Sequence, residues 1–274
     1  MAFLLRSFTV LAVFLSGSIF AAGDDAEPVS PQKAPIRLFN GKNLDGLYTW
    51  LQDTKYKDPR KVFTVENGML HISGDGMGYI CTKRAYKDYH LVMEYRWGGR
   101  TWQTRKTAAR DTGVIVHCVE PDGSFGGVFM GGIEAQIIEG GTGDLLVVQG
   151  KRADGSNIPI SLTAETTKGR GAAIVWKKGG QRITLDHFAR VDWFGRDPAW
   201  KDVIDFRGPR DVDSPGQQWT RLDVICDGGH LVYRVNGTLA NEAFEVLPAA
   251  GKILIQSELA EVYVRKFELL PLGK

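Results

Sequence analysis

Cysteine is scarce in this chain of 274 residues: only Cys81, Cys118 and Cys226 occur, and no Cys-x-x-Cys pair is present. The sequence therefore lacks zinc and redox motifs of that type, and small secreted disulfide scaffolds carry many more cysteines. Cys118 and Cys226 each end an apolar strand pattern. We expect buried free thiols, with a single disulfide as the alternative.

The sequence also lacks an excess of charge of either sign. It has 34 basic and 32 acidic side chains, and a nucleic-acid partner would call for a concentrated basic face. No His-Glu-x-x-His, Gly-x-Ser-x-Gly or calcium-loop motif occurs. The turn Gly140-Gly-Thr-Gly143 lacks the Lys-Ser/Thr of a phosphate loop. Metalloprotease, serine-hydrolase and nucleotide-binding classes are thereby disfavoured.

Long hydrophobic runs are missing except near the start, where residues 8–20 form a short apolar segment after Arg6. This run is too short to span a bilayer comfortably, and small residues at 21–23 suit a cleavage site. We therefore predict a signal peptide at residues 1–23, with an uncleaved anchor as the alternative. The mature protein, with no membrane span, is then expected to be exported to the periplasm or the extracellular space.

A proline-rich linker is predicted at residues 24–35, followed by one domain at 36–271. The pattern of the domain predicts many short strands, and residues 89–97 form the clearest of them. In that strand, every second residue is aromatic or apolar, which predicts a stripe that faces the core. Further strands are predicted at 62–65, 69–72, 113–118, 133–138, 145–148, 172–176, 182–186, 220–226, 230–235, 252–257 and 261–270. This pattern predicts an all-β, two-sheet antiparallel sandwich.

Turn and loop signals divide the predicted strands. Asn67-Gly68 and Asp227-Gly228 are typical of hairpin turns. Long loop insertions are expected at 98–112 and 150–217. In the second, Asp197 before proline predicts the start of a short helix.

The segment around Glu134 carries the strongest functional signal. Glu134 and Gln136 fall on one face of a predicted strand, while Glu139 falls on the other unless a β-bulge intervenes. Carboxylates and amides are costly to place in a core and useful in a cleft that cleaves sugars.

Five blocks of sequence, in order, resemble the 3-keto-disaccharide hydrolase domain family. The first is Leu38-Phe-Asn-Gly-Lys-Asn-Leu-Asp-Gly46. The others are Glu94-Tyr-Arg96 with Asp111-Thr-Gly-Val-Ile-Val-His117, Ile133-Glu-Ala-Gln-Ile137, Gln218-Trp-Thr-Arg-Leu-Asp-Val-Ile-Cys226 with Val235-Asn-Gly237, and Ile255-Gln-Ser-Glu258 running to Arg265. The resemblance implies a concanavalin-A-like jelly roll, export from a bacterial cell, and action on glycosides oxidised at C3.

The blocks, together with the strand patterns, nominate site residues. Glu134, His117 and Glu258 are the catalytic candidates, because two carboxylates and one histidine can exchange protons near neutral pH. The candidates for substrate contact are Glu94, Arg96, Gln136, Glu139, Gln256, Trp97 and Trp193. The partner expected is a small carbohydrate, and no cofactor is predicted beyond an optional divalent cation.

Two chemistries and two non-catalytic functions stay open at this point. A retaining glycosidase would pair Glu134 with Glu139 and needs the bulge. Elimination from a 3-keto sugar would use Glu134 or His117 as base and Glu258 as acid, with Arg96 or a cation opposite the developing oxyanion. The alternatives from other classes are a carbohydrate-binding module and a cell-surface scaffold domain.

Overall fold

A computed structural model describes residues 27–273 of the chain. The predicted signal peptide at residues 1–23 lies outside this range, as does the start of the predicted linker. Over residues 27–273 the model contains no helix that is long and apolar enough to cross a membrane.

The regular elements of residues 27–273 are eighteen strands and one short 3-10 helix, Gln103–Lys106, which turns and loops connect. The strands are β1 (Ile36–Arg37), β2 (Leu47–Leu51), β3 (Phe63–Glu66), β4 (Met69–Ile72), β5 (Met77–Thr82), β6 (Tyr89–Thr101), β7 (Asp111–Val119), β8 (Gly131–Ile138), β9 (Leu145–Val148), β10 (Ser161–Lys168), β11 (Ile174–Trp176), β12 (Gln181–Leu185), β13 (Ala189–Val191), β14 (Thr220–Asp227), β15 (His230–Val235), β16 (Thr238–Leu247), β17 (Lys252–Glu258) and β18 (Ala260–Leu270).

These strands form two antiparallel sheets. The larger has eleven strands in the order β11-β10-β16-β15-β14-β6-β18-β4-β3, with β1 added beside β18 and β12 beside β10. The smaller has seven strands in the order β13-β9-β8-β7-β17-β5-β2. The predicted all-β, two-sheet antiparallel sandwich is confirmed.

The core lies between the sheets and follows from the alternation of side chains along each strand. On β6, the predicted stripe of Tyr89, Leu91, Met93, Tyr95 and Trp97 is buried. The facing strands β7 and β8 contribute their own alternate apolar residues, which are Val114, Val116, Ile133, Ala135 and Ile137. Because strand side chains point alternately to opposite faces, the remaining residues of β8 project outward from the seven-stranded sheet.

Local predictions fared unevenly. Both hairpin turns are confirmed, with Asn67 and Gly228 in the left-handed region that such turns need. The three cysteines are free and buried. The predicted helix after Asp197 is wrong. Its carboxylate accepts a hydrogen bond from the Ala199 amide and closes a turn that does not continue into a helix.

Candidate active site

A row of polar and aromatic side chains crosses the outward face of the seven-stranded sheet. Trp50 on β2 is the register partner of Tyr79 on β5, and Tyr79 is the register partner of Gln256 on β17. On the next strands Gly113 of β7 pairs with Gln136 of β8. Directly opposed residues share a face, so the row is one continuous surface.

Three carboxyl groups converge at one end of this surface. Asp111 precedes Gly113 by two residues on β7 and therefore shares its face. Its carboxylate accepts hydrogen bonds from Gln136 Nε2 and from the Arg105 guanidinium, both at 2.5 Å. The same guanidinium lies 3.8 Å from Glu258 Oε2. Arg105 thus neutralises part of the charge that two carboxyl groups bring together.

The third carboxyl group, that of Glu134, meets Gln256 above Gly113. Oxygens of both side chains occupy the space that a Cβ atom at Gly113 would fill. Oε1 of Gln256 is buried and has no hydrogen-bond partner within residues 27–273. Gly113 is therefore the floor of the cluster, and a buried acceptor beside it has no donor of its own.

Burial sets the protonation of the cluster. Loss of solvent raises the pKa of Asp111 to about 6, with Arg105 opposing the shift. Burial and then the charge of Asp111 raise the pKa of Glu134 to about 8. Burial and the charges of both neighbours raise the pKa of Glu258 well above its usual range. The group of three carboxyls is therefore partly protonated at neutral pH.

Two loop segments fix Arg105 over the cluster. Arg105 follows Gln103 in the 3-10 helix of the predicted 98–112 loop, and it donates hydrogen bonds to the Ala109 carbonyl and to Asp202. Asp202 belongs to the 150–217 insertion and also accepts a hydrogen bond from the Ala109 amide. Residues from both predicted insertions thus position one guanidinium. The prediction of a long loop at 150–217 is wrong in part, because strands β10 to β13 lie within it and join the two sheets.

Tyrosines dominate the other end of the row. Tyr48, Tyr56 and Tyr79 each donate a hydrogen bond to the Asp122 carboxylate, at 2.7, 2.7 and 2.5 Å. Tyr56 is 64% exposed, and its ring packs edge-on against Trp50 with centroids 5.0 Å apart. The Tyr56 ring is exposed, and its hydrogen bond to Asp122 and its packing against Trp50 fix its orientation. Sugar rings stack on aromatic surfaces of this kind.

The family described as 3-keto-alpha-glucoside-1,2-lyase-like domain matches residues 34–270. The chain belongs to this family. No curated protein matches the sequence.

Solved structures give more distant likenesses. A protein of Parabacteroides distasonis ATCC 8503, provisionally described as a glycosyl hydrolase, has 15% identity over 88% of this chain and 100% of its own, with a TM-score of 0.49. A Bacillus licheniformis β-glucanase has 10% identity over 88% and 100%, with a TM-score of 0.44. The carbohydrate-binding module CBM66 of Bacillus subtilis has 12% identity over 81% and 93%, with a TM-score of 0.42.

Four of the residues nominated from sequence lie together in this member of the 3-keto-glucoside lyase-like family. They are Glu134, Gln136, Gln256 and Glu258. Sequence reasoning missed Asp111 and Arg105, which join them. Asp111 could have been found from its spacing, since it lies two residues before Gly113 and alternates onto the same face.

The bulge that a retaining glycosidase would need to bring Glu139 to the face of Glu134 is absent. Register between β7 and β8 runs without a shift from Ile115↔Glu134 to Asp111↔Ile138. Glu139 lies beyond the end of β8, where its carboxylate accepts hydrogen bonds from Arg110 and from the Asp205 amide. The pairing of Glu134 with Glu139 that a retaining glycosidase needs is therefore not formed.

His117 is also misplaced by the sequence prediction. The register of β7 shifts between Val116 and Val119, and His117 sits there in the left-handed region with φ of 54°. Its ring is fully buried, hydrogen-bonds the Pro248 carbonyl through Nδ1 and packs edge-on against Tyr89. Burial lowers the pKa of His117 to about 4, so it is a neutral interior residue rather than the base of the cluster.

Glu94 and Arg96 lie on the other sheet. Both are on the outward face of β6, where Glu94 pairs with Arg265 at 2.5 Å. The guanidinium of Arg96 lies 4.5 Å from the Tyr263 ring centroid. Because the core separates the two outward faces, the structure does not bring these two side chains to the carboxyl cluster, and their contact with substrate stays a prediction.

The two tryptophans nominated for sugar stacking are interior residues. Trp97 belongs to the core stripe of β6 and packs edge-on against Tyr95. Trp193 is 1% exposed and fills the space beside Gly143. Neither ring face is open to a ligand. The exposed aromatic surface on the outward face comes instead from Trp50 and Tyr56, at the other end of the row.

The sequence analysis allowed a divalent cation as an optional cofactor. Within residues 27–273, no group of three or more His, Cys, Asp or Glu side chains is arranged to hold a metal ion. The cation stays an untested prediction, and no step below is routed through it.

Proposed function

We propose that the protein cleaves 3-keto-glycosides by eliminating the substituent at C1, and that it does so on the outward face of the seven-stranded sheet. The observation that carries this proposal is the set of three carboxyl groups on one sheet face, two of which lie beside Arg105. A 3-keto sugar needs a base for its C2 proton and an acid for the departing oxygen, and this cluster offers carboxyl groups for both on one face of the sheet.

The pKa values of the two glutamates assign the roles of base and acid. A base works best when its pKa lies near the working pH, and the pKa of Glu134, raised by burial to about 8, satisfies this condition. Glu258 keeps its proton, because burial and two carboxyl neighbours raise its pKa further. Glu134 in its ionised fraction is therefore the base, and Glu258 is the acid.

The reaction conserves atoms and charge. Glu134 takes the proton from C2, and the electron pair forms an enolate whose charge rests on the C3 oxygen. The C1–O bond then breaks, a C1=C2 double bond forms, and the C3 carbonyl is restored. Glu258 gives its proton to the departing oxygen. Addition of water across the double bond gives the free 3-keto sugar and completes a net hydrolysis.

Two further groups support this chemistry. The Arg105 guanidinium is the cation nearest to the cluster and is held by three partners, so it can stabilise the enolate oxygen without reorganising. The unpaired Oε1 of Gln256 can accept a sugar hydroxyl. Arg105 thus takes the place that the sequence had given to Arg96.

The test is to supply purified protein with 3-keto-trehalose and with trehalose, and to follow both sugar release and the ultraviolet absorbance of the unsaturated ketone. Cleavage of the keto sugar alone, with deuterium at C2 slowing it, is the expected result. Cleavage of trehalose at an equal rate would exclude a mechanism that depends on the C3 carbonyl.

The exposed ring of Tyr56 beside Trp50 supports a second candidate, a non-catalytic carbohydrate-binding module. This function predicts sugar binding without turnover, and an affinity that Glu134→Gln leaves intact. Titration of the variant by calorimetry, alongside the turnover assay, separates the two functions. For either function we propose that the protein acts after export, as residues 1–23 suggest.

A further inference from the structure

A cavity of about 360 Å³ lies where the edges of the two sheets meet. At this seam Val175 of β11 bridges Asp192, the residue that follows β13. The walls come from the turn between β10 and β11, from the segment after β13 and from Arg210. The volume falls within the range of about 300–1,000 Å³ that is typical of small-ligand pockets. No lining residue belongs to the carboxyl cluster.

Three arginines from separate segments line this seam cavity, and two of them have unused donors. Arg170 donates one hydrogen bond, to the Pro198 carbonyl at 3.2 Å. Arg210 is exposed and forms neither a hydrogen bond nor an ion pair within residues 27–273. Because a guanidinium offers five N–H donors, both side chains can still bind an anion through two parallel hydrogen bonds.

The third arginine, Arg196, is held rigidly in the wall. Its Nη1 donates to the fully buried carboxylate of Asp144, and its guanidinium lies 4.5 Å from the centroid of the Trp200 ring. Asp144 also accepts a hydrogen bond from Arg190 at 2.9 Å, so two guanidiniums share one carboxylate. This buried pairing therefore leaves one positive charge in excess beside the cavity.

The acidic side chains of the walls do not cancel this excess. Asp192 lies 3.9 Å from Arg196, and burial raises the pKa of its carboxyl group, which favours the neutral form. Asp197 accepts a hydrogen bond from the Ala199 amide. Three guanidiniums thus face two carboxylates across the cavity, and the electrostatic potential there favours an anion.

The rest of the lining is apolar and aromatic. Phe194 is 44% exposed, and its orientation is fixed by edge-on packing against Trp193, with centroids 5.2 Å apart. Ala173 and Val175 add aliphatic surface, and the Trp200 ring closes another wall. An exposed ring surface beside free guanidiniums matches a ligand that has one apolar ring and one negative charge.

We infer that this cavity is a second ligand site, and that its ligand is a small carboxylate attached to an apolar ring. The carboxylate would pair with Arg170 and Arg210, and the ring would lie against Phe194. A neutral ring would leave the guanidiniums unpaired, and acetate would leave the apolar wall uncovered. The site does not depend on the proposed function, because it shares no residue with the carboxyl cluster.

The test measures the binding of three probes by saturation-transfer NMR, which needs no turnover. Benzoate has both the ring and the charge, whereas benzyl alcohol lacks the charge and acetate lacks the ring. Benzoate should bind at least about tenfold more tightly than either, since a hydrogen bond to a charged group contributes about 1.5–3 kcal/mol. Benzyl alcohol or acetate that binds as tightly as benzoate would overturn the assignment.

Variants locate the site. Arg210→Gln and Arg170→Gln should each raise the Kd of benzoate about tenfold. Arg182→Gln is the matched control, because Arg182 is an exposed arginine on β12 that lies outside the cavity, with its guanidinium 4.8 Å from the Phe244 ring centroid. Its Kd should equal that of the wild type. Equal affinities in all four proteins, or equal losses in the three variants, would refute the site.

Discussion

On the outward face of the seven-stranded sheet, Asp111 and Glu258 share one guanidinium within 4 Å, that of Arg105, and Glu134 has none among residues 27–273. On the outward face of the eleven-stranded sheet, acidic side chains have basic partners of their own. Glu94 pairs with Arg265, and Glu261 binds both Arg100 and His71. Carboxyl groups in the cluster on the seven-stranded sheet thus outnumber the cations close to them, whereas Glu94 and Glu261 on the eleven-stranded sheet each have a basic partner.

The pKa values follow this difference in partners. Burial opposes ionisation of Asp223 and Glu261 too, but hydrogen bonds from His90 and Arg221 bring the pKa of Asp223 to about 2, and those from Arg100 and His71 do the same for Glu261. In the cluster, burial and mutual repulsion raise the pKa of Glu134 to about 8. Carboxyl groups that retain protons can do acid–base work, whereas fully paired ones are structural.

The sharpest test of this contrast exchanges one carboxyl on each face for an amide. Glu134→Gln should lower kcat on 3-keto-trehalose by about 10²–10⁴-fold, the usual contribution of a general base. Glu94→Gln should leave kcat within a factor of two or so, because that side chain is in a surface ion pair. Circular dichroism of both variants checks the fold. Equal losses in the two variants would erase the distinction between the faces.

Glycines allow a second comparison. At Gly113 an added Cβ would collide with oxygens of Glu134 and Gln256, whereas at Gly99 the nearest atom would be Gln217 Nε2 at 3.6 Å. Gly113→Ala should destabilise the protein by about 1–3 kcal/mol, as overpacking does, and should disperse the cluster. Gly99→Ala should be close to neutral.

Urea denaturation of both glycine variants, with turnover measured in parallel, gives the result. A Gly113→Ala variant with full activity would show that the packing of Glu134 against Gln256 is not needed for catalysis.

Stability should depend on pH in opposite directions on the two faces. The raised pKa values of Asp111 and Glu134 give stability that is complete below the unfolded value of about 4 and is lost as pH rises through about 6 to 8. The lowered pKa values of Asp223 and Glu261 give stability that is present above about 4 and is lost as pH falls toward about 2.

The free energy of unfolding in urea at pH 5 and pH 8 measures the first effect. Between pH 5 and pH 8, Glu134→Gln should lose less free energy of unfolding than the wild type does. The difference between the two proteins is at most about 1.4 kcal/mol per pH unit, the limit for one proton. Identical slopes in the two proteins would mean that Glu134 is already ionised at pH 5.

The sequence predicted those features of the fold and the site that depend on a single strand, and missed those that depend on contacts between distant segments. Period-two alternation is a property of a single strand, so it placed Glu134 beside Gln136 and Gln256 beside Glu258 on common faces. It could not say which sheet a strand joins, and Glu94 and Arg96 were therefore grouped with residues of the other sheet. Register shifts depend on neighbouring strands, which is why the position of His117 escaped prediction.

Arg105 shows a further limit of the sequence. Basic residues in the 98–112 loop were evident, but which of them reaches the cluster depends on Asp202, almost a hundred positions later. Contacts between two long insertions leave no periodic trace in the chain. Asp111, in contrast, was within reach of the alternation argument and needed only the strand to begin two residues earlier than predicted.

The smallest expected effect concerns Arg96, which the sequence had nominated for substrate contact. Its guanidinium packs over Tyr263 and Trp219, with centroid distances of 4.5 and 5.4 Å, so Arg96→Ala should cost about 0.5–1 kcal/mol of stability through lost cation–π contact. KM for 3-keto-trehalose should not change, because the core lies between Arg96 and the cluster. Arg265→Ala, which removes a guanidinium 4.4 Å from the same Trp219 ring, is the matched control. A KM that rises several-fold in Arg96→Ala alone would move substrate binding to the eleven-stranded sheet and reverse the comparison between the two faces.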